Sequence, residues 1–149
     1  AGTTRSMDVA IEMGVKPHHV VIDHNNEETV REVLDRGFWA AFTIYPNTKM
    51  DEARMVGLIK QYGTKKILVN SAADWGVSDA LKVPKTAQAM LAAGFDEEAT
   101  LEVCWKNPVR FFAQSGRLDL DDVEARPPVD QRQLWEGNSV LRGQTPRVD

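Results

Sequence analysis

Three short apolar runs alternate with amphipathic stretches in the first half of the chain. The runs are residues 20–22 (VVI), 39–44 (WAAFTI) and 67–69 (ILV), and short continuous runs of this kind are typical of buried parallel strands. Between them, apolar residues recur at helical spacing and stop at Gly37 and Gly63, as helices often do. The pattern predicts the order strand, helix, strand, helix, strand, and therefore an α/β fold with a parallel sheet.

Polar residues predict where the two intervening helices begin. Asn26 is a good N-cap, and Glu27 and Glu28 would place negative charge in the first turn of the first helix. Thr48 and Asp51 have the spacing of a capping box at the start of the second. Both helices would therefore begin just beyond the carboxyl ends of the strands before them.

Further helices are predicted on either side of the strands. One covers residues 7–13 and stops at Gly14, and another has Pro84 in its first turn and stops at Gly94. Residues 96–105 form a short helical stretch with Leu101, Cys104 and Trp105 on one face, and a helix restarts at residues 107–108. Residues 1–118 are then one domain, and the mostly polar residues 119–149 are an extended C-terminal segment.

Composition narrows the class of protein. The chain has 149 residues, of which 42% are hydrophobic and 27% charged, as in ordinary globular domains. Its net charge of −4 does not favour nucleic acid as a partner. Cys104 is the one cysteine, so no internal disulfide forms. No apolar stretch approaches the roughly 20 residues that span a bilayer, and no signal peptide is recognised at the amino end. A cytoplasmic protein without a membrane partner is expected.

Residues able to bind metal follow two of the predicted strands. Asp23 and His24 come directly after the first strand, and Asn70 and Asp74 follow the third. In α/β folds, chemistry collects in the loops at the carboxyl ends of parallel strands. Both sets of side chains are therefore expected at one site.

The chain also resembles a known family. The segments GVKPHHVVIDH (14–24), RGFWAAF (36–42) and ILVNSAADWG (67–76) look like strands six to eight of the metal-dependent hydrolases of the amidohydrolase superfamily. They are most similar to TatD-related hydrolases and their phosphotriesterase-like cousins, and KNPVRFF (106–112) resembles the helix after the last strand. A (β/α)8 barrel typically needs about 250 residues. The resemblance therefore implies the C-terminal part of a TIM barrel, incomplete in this chain, and the remaining alternative is a small open α/β domain.

The resemblance implies roles for two residues. His24 matches the strand-six histidine that binds metal, and Asp74 matches the strand-eight aspartate that binds metal and takes a proton from the attacking water. The implied cofactor is a divalent metal (Zn, Mg or Mn), with one or two ions in the complete protein. The metal lowers the pKa of a bound water, and the resulting hydroxide attacks an ester, phosphoester or amide bond. The implied substrate is a small molecule or a phosphoester.

The departures from the family bear on activity. The family's first strand supplies a His-x-His pair, whereas this chain contains only His18, His19 and His24. We expect residues 18–19 to lie before the first strand, at the opposite end from the site. Alone, the chain is expected to bind metal weakly, to catalyse no hydrolysis and to self-associate through unpaired strand edges. The alternative function is a non-catalytic α/β binding module, a truncated or degenerate relative.

Each candidate residue also has a structural interpretation. His24 could make a hydrogen bond at a strand end, Asp74 could cap a loop, and Asp23 could orient a ligand without binding metal. Lys49 and Trp75 could meet substrate or simply lie in loops beside it. Cys104 is expected to be a buried, inert thiol.

Overall fold

The computed structural model describes residues 2–45, 50–72, 79–118 and 121. Contacts divide the chain into a unit of residues 1–118 and a unit of residues 119–149, and the first is described below. The extended segment predicted for residues 119–149 lies, apart from Asp121, outside the described residues and stays a prediction.

The described residues form a mixed α/β fold around a small parallel sheet. The predicted order of strands and helices is confirmed, and β1 pairs with β2 and β2 with β3, all in parallel. A 3-10 turn at Pro17–His19 precedes β1, and a π-helical stretch at Glu102–Lys106 joins α5 to α6. The elements are α1 (Gly2–Glu12), β1 (Val21–Ile22), α2 (Val30–Asp35), β2 (Trp39–Ile44), α3 (Glu52–Tyr62), β3 (Ile67–Ser71), α4 (Lys82–Ala92), α5 (Glu97–Leu101) and α6 (Asn107–Ala113).

The pleat of the sheet separates an apolar face from a face that turns polar at the carboxyl edge. In β2, Ala40, Phe42 and Ile44 belong to the core under the helices. Ala41 and Thr43 alternate with them and must therefore face the other way. The other core residues come from the helices, the loops and β3: Met7, Val30, Val33, Phe38, Met50, Met55, Val56, Leu58, Ile59, Ile67, Val69, Met90 and Val103.

The helix starts differ in detail from the predictions. The Asn26 side chain accepts hydrogen bonds from the N–H groups of Glu28 (3.0 Å) and Thr29 (3.2 Å), but it caps a turn, and α2 itself begins at Val30. At α3 the N-cap is Asp51, whose carboxylate accepts the N–H of Arg54 at 2.8 Å. The capping-box assignment, which put Asp51 inside the helix, is wrong, because Asp51 has extended backbone and itself fills the cap.

The apolar face predicted for residues 96–105 is confirmed only for Cys104, which is partly buried against the core. Val103 is fully buried, whereas Leu101 and Trp105 are 49% and 46% exposed. Trp105 lies within the π-helical stretch Glu102–Lys106, which rotates it away from the position that regular 3.6-residue spacing gives it, whereas Leu101 lies before that stretch, at the end of α5.

No helix in the described part of the chain is long and apolar enough to cross a membrane.

Candidate functional site

The carboxyl end of β1 delivers two polar side chains into an unusual backbone turn. The strand ends at Ile22, and Asp23 and His24 follow it. His24 has φ of +59°, in the left-handed region that residues other than glycine seldom adopt. The Asp23 carboxylate accepts the N–H of His24 at 2.7 Å, which stabilises this turn. The turn redirects the chain so that both side chains lie at the edge of the sheet.

The side chain of buried Asn25 stabilises this turn through hydrogen bonds. Its amide nitrogen donates to the carbonyls of Ile22 (2.6 Å) and Ala41 (3.2 Å), and its amide oxygen accepts the hydroxyl of Thr29 at 2.9 Å. Asn25 is only 5% exposed. A single side chain thus ties the end of β1 to β2 and to the start of α2, directly beneath His24.

Side chains from all three strands meet at this edge. The Nδ2 of Asn70 donates to Asp23 Oδ1 at 3.1 Å, so the end of β3 contacts the end of β1. Between them, Thr43 Oγ1 lies 2.6 Å from His24 Nδ1 and 3.5 Å from Asp23 Oδ1. The structure therefore brings Asp23, His24 and Asn70 together, as expected. Asp74 lies outside the described residues.

Sequence reasoning missed Thr43, the central member of this cluster. Thr43 is 2% exposed and pairs with Asn70 across the β2–β3 ladder. The available signal was a single polar residue near the end of an otherwise apolar run, on the pleat opposite Phe42 and Ile44. A hydroxyl buried at that position needs a hydrogen-bond partner, and the edge of the sheet supplies it.

The cluster favours one tautomer of His24. The Thr43 hydroxyl donates to Asp23 Oδ1 at 3.5 Å. Thr43 Oγ1 then accepts the Nδ1–H of His24, and the lone pair of Nε2 is left available. Nε2 lies 4.0 Å from Asp23 Oδ2, and both side chains are about half exposed, at 56% and 42%.

These donors fit part of a metal site. Imidazole nitrogen and carboxylate oxygen are common ligands of divalent metals. Tetrahedral ligands at about 2.0–2.1 Å from zinc lie about 3.4 Å apart, so Nε2 and Oδ2 would have to approach slightly. Among the described residues, no group of three or more His, Cys, Asp or Glu side chains is placed to hold a metal. Further ligands are therefore needed.

Of the remaining candidate residues, some have structural contacts and others lie outside the described residues. Lys49 and Trp75 lie outside the described residues. His18 and His19 lie in the 3-10 turn before β1, at the opposite edge of the sheet, as expected. Glu27 forms a two-point pair with Arg54, with N···O distances of 2.9 and 2.7 Å, and this hydrogen bonding lowers the pKa of the Glu27 carboxyl. Burial raises the pKa of the Cys104 thiol to about 11, in accord with an inert cysteine.

Comparison with known proteins gives one informative similarity. No protein-family model matches the chain. Over 101 residues the chain is 32% identical to an uncharacterized metal-dependent hydrolase of Methanocaldococcus jannaschii. The match covers 68% of this chain and 39% of that relative, so the chain spans about two fifths of the relative's length. This similarity supports a relationship to metal-dependent hydrolases in general.

Proposed function

We propose that this chain is the C-terminal part of a metal-dependent hydrolase of the TatD-related type. In this proposal, β1, β2 and β3 are strands six to eight of a TIM barrel, with α2 and α3 as crossover helices between them. Two features support it: the parallel pairing of the strands in chain order, and the polar side chains at their carboxyl ends, where barrel enzymes carry their active sites. The partial similarity to a metal-dependent hydrolase supports the same class.

The observation that carries the proposal is the contact of Thr43 with His24. Histidines that bind metal usually donate their second ring N–H to a neighbouring oxygen, which orients the ring. Thr43 Oγ1 is that oxygen for Nδ1, at 2.6 Å, and Asp23 in turn accepts the Thr43 hydroxyl. This arrangement leaves Nε2 of His24 as the donor for a divalent metal.

The chain's own residues then have distinct parts in the reaction. His24 and Asp74 would hold the metal, Asp74 would accept the proton of the attacking water, and Asp23, Thr43 and Asn70 would orient the imidazole and the turn that carries it. When bound, a divalent metal (Zn, Mg or Mn) supplies Lewis acidity and lowers the pKa of water. The substrate is an ester, phosphoester or amide, and the acidic net charge of −4 does not favour nucleic acid.

A metal titration of the 149-residue chain tests the site. We expect weak Co²⁺ binding, followed by its visible absorption, that is lost in His24→Asn. Asparagine tolerates the left-handed backbone of His24, so this variant keeps the turn. His19→Asn is the matched control, because His19 is an exposed histidine at the opposite edge of the sheet. Equal Co²⁺ binding by His24→Asn and the parent chain would refute the role of His24.

The missing ligands give a second test. We expect the 149-residue chain to catalyse no hydrolysis, and the coding sequence immediately upstream of Ala1 to continue an open frame that encodes a His-x-His pair on an apolar strand. The protein expressed from that longer frame should hydrolyse a phosphodiester or carboxylic ester, and His24→Asn should abolish its turnover. Upstream sequence that encodes no such strand would contradict the proposal.

Two observations favour the alternative of a non-catalytic binding module. The described residues contain no group of three metal-ligating side chains, and the chain has no His-x-His pair. If this alternative is right, the protein binds a ligand or partner but shows no turnover that depends on metal. Self-association of the isolated chain remains an expectation under both functions.

A further inference from the structure

A cavity lies at the amino edge of the sheet, opposite the candidate metal site. It has a volume of about 560 Å³, within the range of small-molecule sites. Trp39, the first residue of β2, and Lys66, which precedes β3, place it at this edge. Neither the family resemblance nor the metal-dependent relative assigns a role to it.

The cavity is basic although the chain as a whole is acidic. Its lining carries Lys65, Lys66 and Arg110 against one carboxylate, Glu102. Arg110 pairs with Glu102 at 2.5 Å, and Lys66 Nζ donates to the carbonyl of Gly37 at 2.7 Å, which leaves Lys66 two further N–H donors. Lys65 is exposed and has no ion-pair partner among the described residues. The cavity therefore has a net positive charge and free donors.

Aromatic rings provide the apolar part of the cavity wall. The Trp39 indole N–H donates to the carbonyl of His18 at 2.9 Å, and its ring packs edge-on against Phe111, with centroids 5.7 Å apart. Tyr62 is held by Arg31, whose guanidinium carbon lies 5.5 Å from the ring centroid. Trp39 and Tyr62 therefore place aromatic surface in the cavity lining, and the face of Tyr62 that Arg31 does not cover can meet a planar group.

The backbone around the cavity is irregular and firmly held. Lys66 has φ of +58°, and the π-helical stretch Glu102–Lys106 brings Glu102 to the lining. Buried Asn107 donates to the carbonyls of Thr64 (2.7 Å) and Ile67 (2.9 Å), which ties α6 to the start of β3. Left-handed residues and π-helical turns cost stability and are frequent at functional sites.

We propose that this cavity binds a small organic anion with a planar aromatic ring, the ring against Trp39 and Tyr62 and the anionic group at Lys65 and Lys66. A nucleoside monophosphate combines these two features and serves as the probe. The proposal does not depend on the metal site, because the two lie at opposite edges of the sheet.

Calorimetric titration of adenosine monophosphate into the 149-residue chain at low ionic strength tests the proposal. Lys65→Gln should weaken binding about fivefold, the effect of one exposed charge pair, and Lys60→Gln should leave it unchanged. Lys60 is the matched control, since it is an exposed lysine on α3 outside the cavity. Adenosine and inorganic phosphate, each carrying one of the two features, should bind more weakly than the monophosphate.

The position of the ligand is read from the Trp39 indole N–H resonance, assigned with Trp39→Phe. We expect this resonance to shift on titration with the monophosphate. Absence of binding at millimolar concentration, an equal affinity of the Lys65→Gln variant, or phosphate binding as tightly as the monophosphate would each overturn the proposal.

Discussion

The strongest single prediction concerns Asn25, the buried side chain beneath His24. Asn25→Ala removes three hydrogen bonds, two to the carbonyls of Ile22 and Ala41 and one from the Thr29 hydroxyl. The backbone N–H of residue 25 still donates to Ala41 at 3.1 Å, so that carbonyl keeps one partner after the substitution. The substitution therefore mainly weakens the connection of the end of β1 to β2 and to the start of α2.

The expected destabilisation is about 3 kcal/mol. A hydrogen bond within a protein contributes about 0.5–1.5 kcal/mol net, and three are lost together. Since a domain of this size is stable by only about 5–15 kcal/mol, the loss is a large part of the total. At about 4 °C per kcal/mol, the melting temperature should fall by about 12 °C. Urea unfolding followed by circular dichroism gives the free energy directly.

Asn26→Ala is the matched control for this experiment. Asn26 is the next residue and also accepts two N–H hydrogen bonds, but it caps a turn, and loss of a cap costs about 1 kcal/mol. Asn25→Ala should therefore be the more damaging of the two by about 2 kcal/mol. Equal free energies of unfolding for the two variants would refute the claim that Asn25 anchors the turn carrying His24.

Three further predictions concern the helix layer. Asp51→Ala should lower the free energy of unfolding by about 1 kcal/mol, measured in urea, because the N–H of Arg54 loses its cap. Glu27→Gln should lower the free energy of unfolding by about 0.5 kcal/mol at neutral pH. Because the pKa of Glu27 is lowered in the folded protein, this difference should disappear as the pH falls through that pKa. A difference that stays the same in acid would contradict the role of the ionised carboxylate. Burial raises the pKa of Cys104 from 9.0 to about 11, which lowers its thiolate fraction at neutral pH but makes each thiolate more nucleophilic. Cys104 should therefore react with a thiol reagent about tenfold more slowly than an unperturbed cysteine, and equal rates would refute its burial.

The outline of the fold could be predicted because its strands are buried and short. The apolar run WAAFTI coincides with β2, Trp39–Ile44, and the glycines at positions 37 and 63 do end the preceding helical segments in left-handed or related turns. The meeting of Asp23 with Asn70 followed from strand direction alone. In a parallel sheet the carboxyl ends lie on one edge, whatever the separation of the residues in the sequence.

Other features depend on tertiary packing that local patterns do not encode. The regular 3.6-residue period predicts Leu101, Cys104 and Trp105 on one face, and nothing in the local pattern indicates that residues 102–106 form a π-helical stretch in which Val103 is fully buried. The sequence presents Thr43 as part of an apolar run, because threonine is common in strands. Its partners, Asn70 on the neighbouring strand and Asp23 and His24 in a loop, are distant in the sequence. A hydrogen bond between such distant residues has no signature at either position alone.

The pleat of β2 explains why the candidate site can be altered without loss of the fold. Phe42 and Ile44 lie in the helix-covered core, whereas Thr43 points to the opposite face with Asn70 and Asp23. Alternation along β2 thus separates the residues of the helix-covered core from the residues of the candidate site. Asn25 and Thr43 are both buried and both help to position His24, so substitution of either residue would affect stability and site together. Substitutions of His24 itself, which is exposed, should change the site while leaving the core intact.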